Sequence, residues 1–228
     1  MNSAMKIIVT TSNKYDWLLP GFAHQFNKYL GSVPVTVVCY KTPPKLPENF
    51  EYFSLGAQKR KKVWTQPFNK LLTLVDEPYI LLLLDDYWLV KSIVTPFYAM
   101  TRKVMEENSV DKCQMSSLDA VHVTEGSAHW NVVNDSCHKK MSLQPSIWRR
   151  EYLIENLNKA ERDIWHFEID GGNAAVNDGA TVWCATSKVY KYANIMKKGE
   201  VSKGHVEMLS KRDRRDLKRV GAWHENLD

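Results

Sequence analysis

No glycine-rich phosphate loop occurs in this chain: neither GxGxxG nor GxxxxGK[ST] follows an apolar run. Such loops cradle phosphates with backbone N–H groups, so their absence disfavours Rossmann dinucleotide binding and P-loop chemistry. GxSxG and HExxH are also missing, which sets aside the nucleophile elbow and the zincin pattern. No apolar run reaches the roughly 18 residues that a membrane span requires. Residues 1–5 carry no signal-peptide pattern. The four cysteines, Cys39, Cys113, Cys137 and Cys184, are scattered without a CxxC pair. Cys39 and Cys113 sit in apolar runs and read as buried thiols, which points to a reducing, cytoplasmic setting. No internal repeat or low-complexity linker divides the chain, so residues 1–228 read as one domain with two functional halves, 1–90 and 91–228.

What is present is an ordinary soluble composition, 44% apolar and 25% charged, with a net charge of +5. The positive charge is unevenly spread. Lys59-Arg60-Lys61-Lys62 is one cluster, and Lys211, Arg212, Arg214, Arg215, Lys218 and Arg219 form another against only Asp213 and Asp216. A polyanionic partner fits such clusters, and so does a solvated face.

The most informative stretch is Pro78-Tyr79-Ile80-Leu81-Leu82-Leu83-Leu84-Asp85-Asp86-Tyr87-Trp88. A continuous aliphatic run opened by proline reads as a strand buried on both faces. Asp85 and Asp86 then stand where that strand leaves the sheet, which is where open α/β sheets bind ligands. Adjacent carboxylates repel unless something positive lies between them, and a hard divalent cation carrying phosphate meets that need. The alternative is a helix N-cap formed by either aspartate.

Before this strand, Lys6–Ser12 and Val33–Tyr40 read as strands, Phe50–Leu55 as a shorter one, and Asp16–Leu30 and Pro67–Val75 as helices. That alternation predicts a mostly parallel sheet flanked by helices. After Trp88 the pattern is less regular. Helices are expected over Pro96–Glu107, Arg149–Lys159 and Val206–Val220, and strands over Gln114–Val123, Thr181–Thr186 and Val189–Met196. Gly126–Lys140 reads as an exposed loop or hairpin.

Tyr79–Trp88 resembles the strand and DxD-type segment of small bacterial and phage glycosyltransferases of the GT-A fold. Two further blocks match the same group in order. Trp64 with Lys70 lies ahead of the central strand, and Ser142-Leu143-Gln144-Pro145-Ser146-Ile147-Trp148 precedes Trp165-His166-Phe167-Glu168. In this chain the two carboxylates are adjacent rather than spaced by one residue. The resemblance implies a GT-A-like α/β fold, a nucleotide-sugar donor (a UDP-sugar first), a divalent cation (Mn²⁺ or Mg²⁺) and transfer to an acceptor hydroxyl.

It also implies roles at particular positions. Thr10, Thr11 and Ser12 would line the nucleotide pocket, and Tyr15 would stack on the base or simply pack. Trp64, Lys70 and Gln144 would lie near the sugar nucleotide, with Lys70 alternatively an exposed helix lysine. Asp86 is the first choice for the metal and Asp85 for the ribose or the metal, with His205 a further ligand or a surface histidine. Glu168 is the candidate base that takes the acceptor proton, with Trp165 and Phe167 expected to desolvate it, and Asp170 is the runner-up.

Lys211, Arg214, Arg215 and Lys218 fall at i, i+3, i+4, i+7 spacing and so share one helical face, suited to a phosphate backbone. Phage members of the group that glycosylate hydroxymethylated DNA bases give one acceptor, in a host cytoplasm. A cell-surface or lipid-linked glycan is another. The competing classes are a non-catalytic nucleic-acid-binding protein on a transferase fold and a nucleotidyltransferase.

Overall fold

A computed structural model of the chain describes residues 5–58, 63–93 and 96–228. The basic cluster at 59–62 lies outside the described residues. The two aliphatic runs form the centre of the main sheet. β1 (Met5–Thr10) and β4 (Tyr79–Leu84) pair in parallel, with Ile7 opposite Leu81 and Thr10 opposite Leu84. β2 (Val35–Cys39) pairs with the other side of β1, and β3 (Phe50–Ser54) lies outside β2, both parallel. The crossovers carry α1 (Leu19–Leu30), which has a proline in its first turn, and α2 (Thr65–Leu72). The chain therefore winds outward from β1 through β2 to β3, then returns to lay β4 on β1's free side.

Beyond β4 the same sheet continues through β9 (Ser146–Arg149), β6 (Lys112–Gln114), β10 (Val182–Ala185), β8 (Trp130–Val133) and β7 (Val123–Glu125), in that spatial order. β9 is antiparallel to β4 and β6, and β8 is antiparallel to β10 and β7. The remaining strands all point one way, so the sheet is mostly parallel. It takes strands from both sides of residue 90.

Strand alternation gives the interior two large cores, beside a smaller cluster of Val133, Cys137, Val182 and Cys184. Ile7, Val9, Leu81 and Leu83 face α1 and the C-terminal segment through Phe22, Phe26, Leu209 and Leu217. Ile8, Ile80 and Leu82 face Phe68, Leu71, Leu72, Trp148 and Phe167 on the other side. Burying each such aliphatic side chain contributes about 2 kcal/mol relative to exposure. All four cysteines are free and buried.

The alternative reading of the carboxylate pair, a helix cap, is not realised. Asp85 and Asp86 make a turn from β4 into β5 (Tyr87–Leu89), which pairs antiparallel with β11 (Tyr192–Asn194), so no helix follows them. α1 packs directly on β5: a Cβ at Gly21 would overlap the indole ring of Trp88. The Trp88 indole in turn donates to the Asp85 carbonyl at 3.1 Å.

The second half departs further from its sequence pattern. α3 (Pro96–Glu107) is as expected. The strand expected over Gln114–Val123 is cut short, because Ser116, Ser117 and Asp119 break its alternation and Gln114 turns its amide onto Ser116. The Gly126–Lys140 segment contains the β7–β8 turn and β8 itself. The Arg149–Lys159 helix is α4 (Arg150–Asn158). α5 (Ile164–Ala174) starts at an Asp163 cap, whose carboxylate accepts from the His166 N–H at 2.8 Å.

Only Tyr192–Asn194 of the expected Val189–Met196 strand lies in β11, and a short hairpin of β12 (Met196–Lys197) and β13 (Glu200–Val201) follows. The single last helix is two, α6 (Lys203–Val206) and α7 (Lys211–Arg219). Ser210 and Asp213 form a reciprocal capping box, and this restarts the helix. Among the described residues, no helix is long and apolar enough to cross a membrane.

Candidate active site

The chain reverses its direction of winding at β1, so the carboxyl ends of β1 and β4 are the sheet's switch point, where a crevice forms. Thr10-Thr11-Ser12 leaves β1 there and Asp85-Asp86 leaves β4 beside it. The two segments are joined by a short hydrogen bond from the Thr11 hydroxyl to Asp85 Oδ2. The Thr10 hydroxyl accepts from the Trp64 indole at 3.2 Å. Trp64 itself is buried and stacked on Phe68, so it supports the β1 end from the second core.

Asp85 is buried and Asp86 half-buried, and both carboxyls are pushed upward. For Asp85 burial is the main cause, with the neighbouring Asp86 charge adding to it and Thr11 opposing it. For Asp86 burial again leads and the Glu168 charge adds to it, raising the group to about 7. The main chain of the turn is fixed, since the Ile195 N–H donates to the Asp86 carbonyl at 2.9 Å. Asn194, opposite Tyr87 in the β5–β11 pair, turns its amide nitrogen to Asp86 Oδ2 at 2.9 Å and to the Met196 carbonyl at 2.6 Å, a network that assigns the amide's orientation. Asp86 Oδ1 is buried and has no hydrogen-bond partner among the described residues.

That orphaned anionic oxygen fits a hard divalent cation. At phosphate sites such ions take one or two carboxylates and complete their shell with phosphate oxygens and water. No group of three His, Cys, Asp or Glu side chains able to hold a metal occurs among the described residues. His205 is linked to the pair through Asn194, whose backbone N–H donates to His205 Nδ1 at 2.8 Å.

Glu168 reaches the site from α5. Its Oε1 accepts from the Leu143 N–H at 2.6 Å. Burial raises its carboxyl above the usual range, while the Leu143 hydrogen bond and the Lys112 charge hold it back. Phe167 is buried in the second core, as expected of a desolvating neighbour, whereas Trp165 is 59% exposed. Gln144 lies between two tyrosines, donating to Tyr87 Oη at 3.2 Å and accepting a short hydrogen bond from Tyr192. Both phenols are raised by burial first, with the Asp86 and Glu168 charges among the further causes. The structure therefore brings Thr11, Asp85, Asp86, Gln144 and Glu168 into one electrostatic neighbourhood.

Other expected positions lie further out. Tyr15 is half-buried, with Lys14 Nζ 4.8 Å from its ring centre, and Ser12 caps that turn by accepting from the Tyr15 N–H at 3.0 Å. Lys70 is exposed and lines a cavity of about 250 Å³ at the ends of β2 and β3, with Tyr40, Ser54, Leu55 and Gln66. Asp170 is exposed and lines a different cavity of about 350 Å³, with Arg162, Asp163 and His166. On α7, Lys211, Arg215 and Lys218 are exposed and Arg214 is half-buried, with Lys218 paired to Asp228 at 2.9 Å. Tyr87, Tyr192, Asn194 and Leu143 were not singled out from sequence. The one available signal was the aromatic-polar run Tyr190–Asn194, whose partner strand lies more than a hundred residues earlier.

A comparison with protein-family profiles finds no match, and no curated protein matches the chain. Solved structures do match. One is S. aureus TarS 1–349 in complex with UDP-GlcNAc, with a TM-score of 0.52 and 14% identity over 90% of this chain. This chain spans 64% of that one's length. Another is a cytidylyltransferase from Leptospira borgpetersenii, with a TM-score of 0.52 and 9% identity, covering 97% of this chain and 96% of the other. The fold is thus GT-A-like, of the type shared by nucleotide-sugar and nucleotidyl transferases.

Proposed function

We propose that this single-domain protein is a cytoplasmic glycosyltransferase that moves a sugar from a nucleotide-sugar donor to an acceptor hydroxyl. The observation that carries the reading is the Asp85–Asp86 turn at the switch point, with one carboxylate bonded to Thr11 and the other keeping an orphaned oxygen beside Glu168. Thr10, Thr11 and Ser12 bind the nucleotide and Asp85 orients it. Tyr15 and the cavity lined by Tyr40 and Lys70 give the base and its phosphates an apolar wall and a positive charge. Asp86 Oδ1 would hold a Mn²⁺ or Mg²⁺ ion, with His205 as a second contact, and the bound ion would neutralise charge on the departing diphosphate. Gln144, clamped by two tyrosines, positions the sugar or the incoming hydroxyl. Glu168, its carboxyl raised by burial and still accepting from Leu143, takes the proton of the attacking hydroxyl. Asp170 is the second candidate for that proton.

The UDP-GlcNAc complex of TarS supports a UDP-sugar as the first donor to test. The exposed basic residues of α7, Lys211, Arg215 and Lys218, support a polyanionic acceptor, of which a hydroxymethylated base in phage DNA is one instance and an anionic surface glycan another. A second reading, nucleotidyl transfer, is favoured by the match along nearly the whole length of the cytidylyltransferase. Against it stands the segment after β1, Thr11-Ser12-Asn13-Lys14-Tyr15, which has no glycine to let backbone N–H groups close on a triphosphate.

The experiment is a thermal-shift panel of UDP-, GDP-, CMP- and dTDP-sugars with and without Mn²⁺, followed by analysis of the released nucleotide. A sugar nucleotide at 100 times its Kd stabilises the fold by about 2.7 kcal/mol. Cation-dependent stabilisation by one class, with release of a nucleoside diphosphate, is expected. Pyrophosphate released from a nucleoside triphosphate would establish the second reading instead. DNA binding that falls steeply with salt, with no turnover of any sugar nucleotide, would point to a nucleic-acid-binding protein.

A further inference from the structure

We infer that Lys112 is a positioning residue of the transfer site: it sets the peptide plane that delivers the Leu143 N–H to Glu168. The inference rests on the glycosyltransferase reading for its kinetic consequence and on geometry for the rest.

A lysine in the middle of a sheet is costly to bury unless its ammonium is satisfied. Lys112 is on β6 and has no exposed surface. Its Nζ donates to the Lys140 carbonyl at 2.7 Å and to the Ser142 carbonyl at 2.6 Å, and lies 4.4 Å from the centre of the Trp148 ring. The Ser142 carbonyl and the Leu143 N–H belong to one peptide group. Because that group is planar, fixing the carbonyl at one edge fixes the direction of the N–H at the other. The N–H it aims is the one that donates to Glu168 Oε1. Polarisation runs the same way, since an ammonium on the carbonyl strengthens the N–H as a hydrogen-bond donor.

Other contacts hold the same strap of chain, residues 138–144. The His138 carbonyl rests where any Cβ at Gly172 of α5 would sit, so α5 approaches the strap backbone to backbone. The buried Lys140 ammonium pairs with Asp178 at 2.7 Å and with Asp135. Gln144, the next residue after Leu143, is held by Tyr87 and Tyr192. Burial pushes the Lys112 ammonium down to about 7, and a neutral amine retains the two N–H groups its two carbonyls require. Lys112 has no exposed surface and acts on Glu168 through the strap, with its charge adding to the effect from a distance.

The test is a double-mutant cycle in the full chain with the active sugar nucleotide and acceptor. Lys112→Met keeps the side chain's length and removes its donors. The expected result is a kcat lower by about 10- to 100-fold, as for the loss of a hydrogen bond to a charged group, with sugar-nucleotide Kd within about twofold of wild type. In the Glu168→Gln background the same change should lower the residual rate no further. Wild-type kcat in Lys112→Met, or a loss that multiplies with that of Glu168→Gln, would overturn the proposal.

A measurement on the unaltered protein covers the case in which the variant does not fold. Amide hydrogen exchange at Leu143 should be as slow as in the sheet, and exchange at the rate of an open loop would overturn the proposal independently. That measurement needs no substrate, so its failure is distinct from a failure to find any sugar nucleotide that turns over.

Discussion

Two acidic clusters are buried in this protein, and they are built in opposite ways. Between α1 and α7, Asp213 has no exposed surface, yet its carboxylate is surrounded by partners. Lys28 is at 2.8 Å, Tyr29 Oη at 2.9 Å and Ser210 Oγ at 2.6 Å. Burial works to raise that carboxyl, and the hydrogen bonds from Lys28, Ser210 and Tyr29 outweigh it, holding the group below the ordinary carboxylate range. At the end of β4 burial also leads, but among the described residues nothing cationic answers it. Asp85 has a hydroxyl, Asp86 has an amide and an orphaned oxygen, and both are pushed upward. Burial with opposite outcomes separates a closed cluster, which docks a helix, from an open one, which no positive charge answers among the described residues.

The contrast is easiest to break at its open member. Asp86→Ala should lower cation-dependent hydrolysis of the sugar nucleotide by about a thousandfold or more while the protein remains folded. Nucleoside diphosphate release checks this, and wild-type turnover would remove the pair from the site. Glu168→Gln should come next, with sugar-nucleotide binding kept within about twofold and transfer reduced by roughly 10² to 10⁴. Calorimetry and product analysis separate the two quantities.

The closed cluster should behave in reverse. Asp213→Ala takes a partner from Tyr29 and Ser210, leaves Lys28 with Asp216 alone at 3.0 Å, and should cost about 2 kcal/mol, a fall in Tm of about 4–8 °C, with turnover per folded molecule unchanged. The smallest effect sharpens the comparison most. The folded-state pKa of Asp86 lies above its unfolded value. From about pH 4 to about pH 7 the folded protein therefore holds a proton that the unfolded chain has released, and stability is lost as pH rises through that window. Asp86→Asn has no such proton to lose. It should melt about 2–4 °C higher than wild type at pH 7.5, with the gain shrinking to nothing near pH 4. Equal melting temperatures across that range would mean that the open cluster is not strained at all.

How much of this was legible in the sequence follows from how local each feature is. β1, β4, α1 and the Asp85–Asp86 turn were readable because a buried parallel strand writes itself as an unbroken aliphatic run and a helix as its own periodicity. Glu168 came from the order of aromatic blocks rather than from any pattern of its own. β9 was missed because Ser146–Arg149 is too short to show alternation and leads directly into a helix. Lys112 was missed because a lysine between Asp111 and Cys113 looks like surface until the Lys140 and Ser142 carbonyls are seen closing over it. Asn194 could not be found from sequence, since its place beside Asp86 depends on the pairing of two three-residue strands.

Gly21 carries one more implication. It is in the first turns of α1, on the far side of Trp88 from the carboxylate turn, and it touches nothing that reacts. Every other amino acid available there by mutation brings a side-chain carbon into the space of the indole, and the indole holds the Asp85 carbonyl. A screen for lost activity would therefore score position 21 beside Asp86 and Glu168, although its contribution is an empty volume the size of a methyl group.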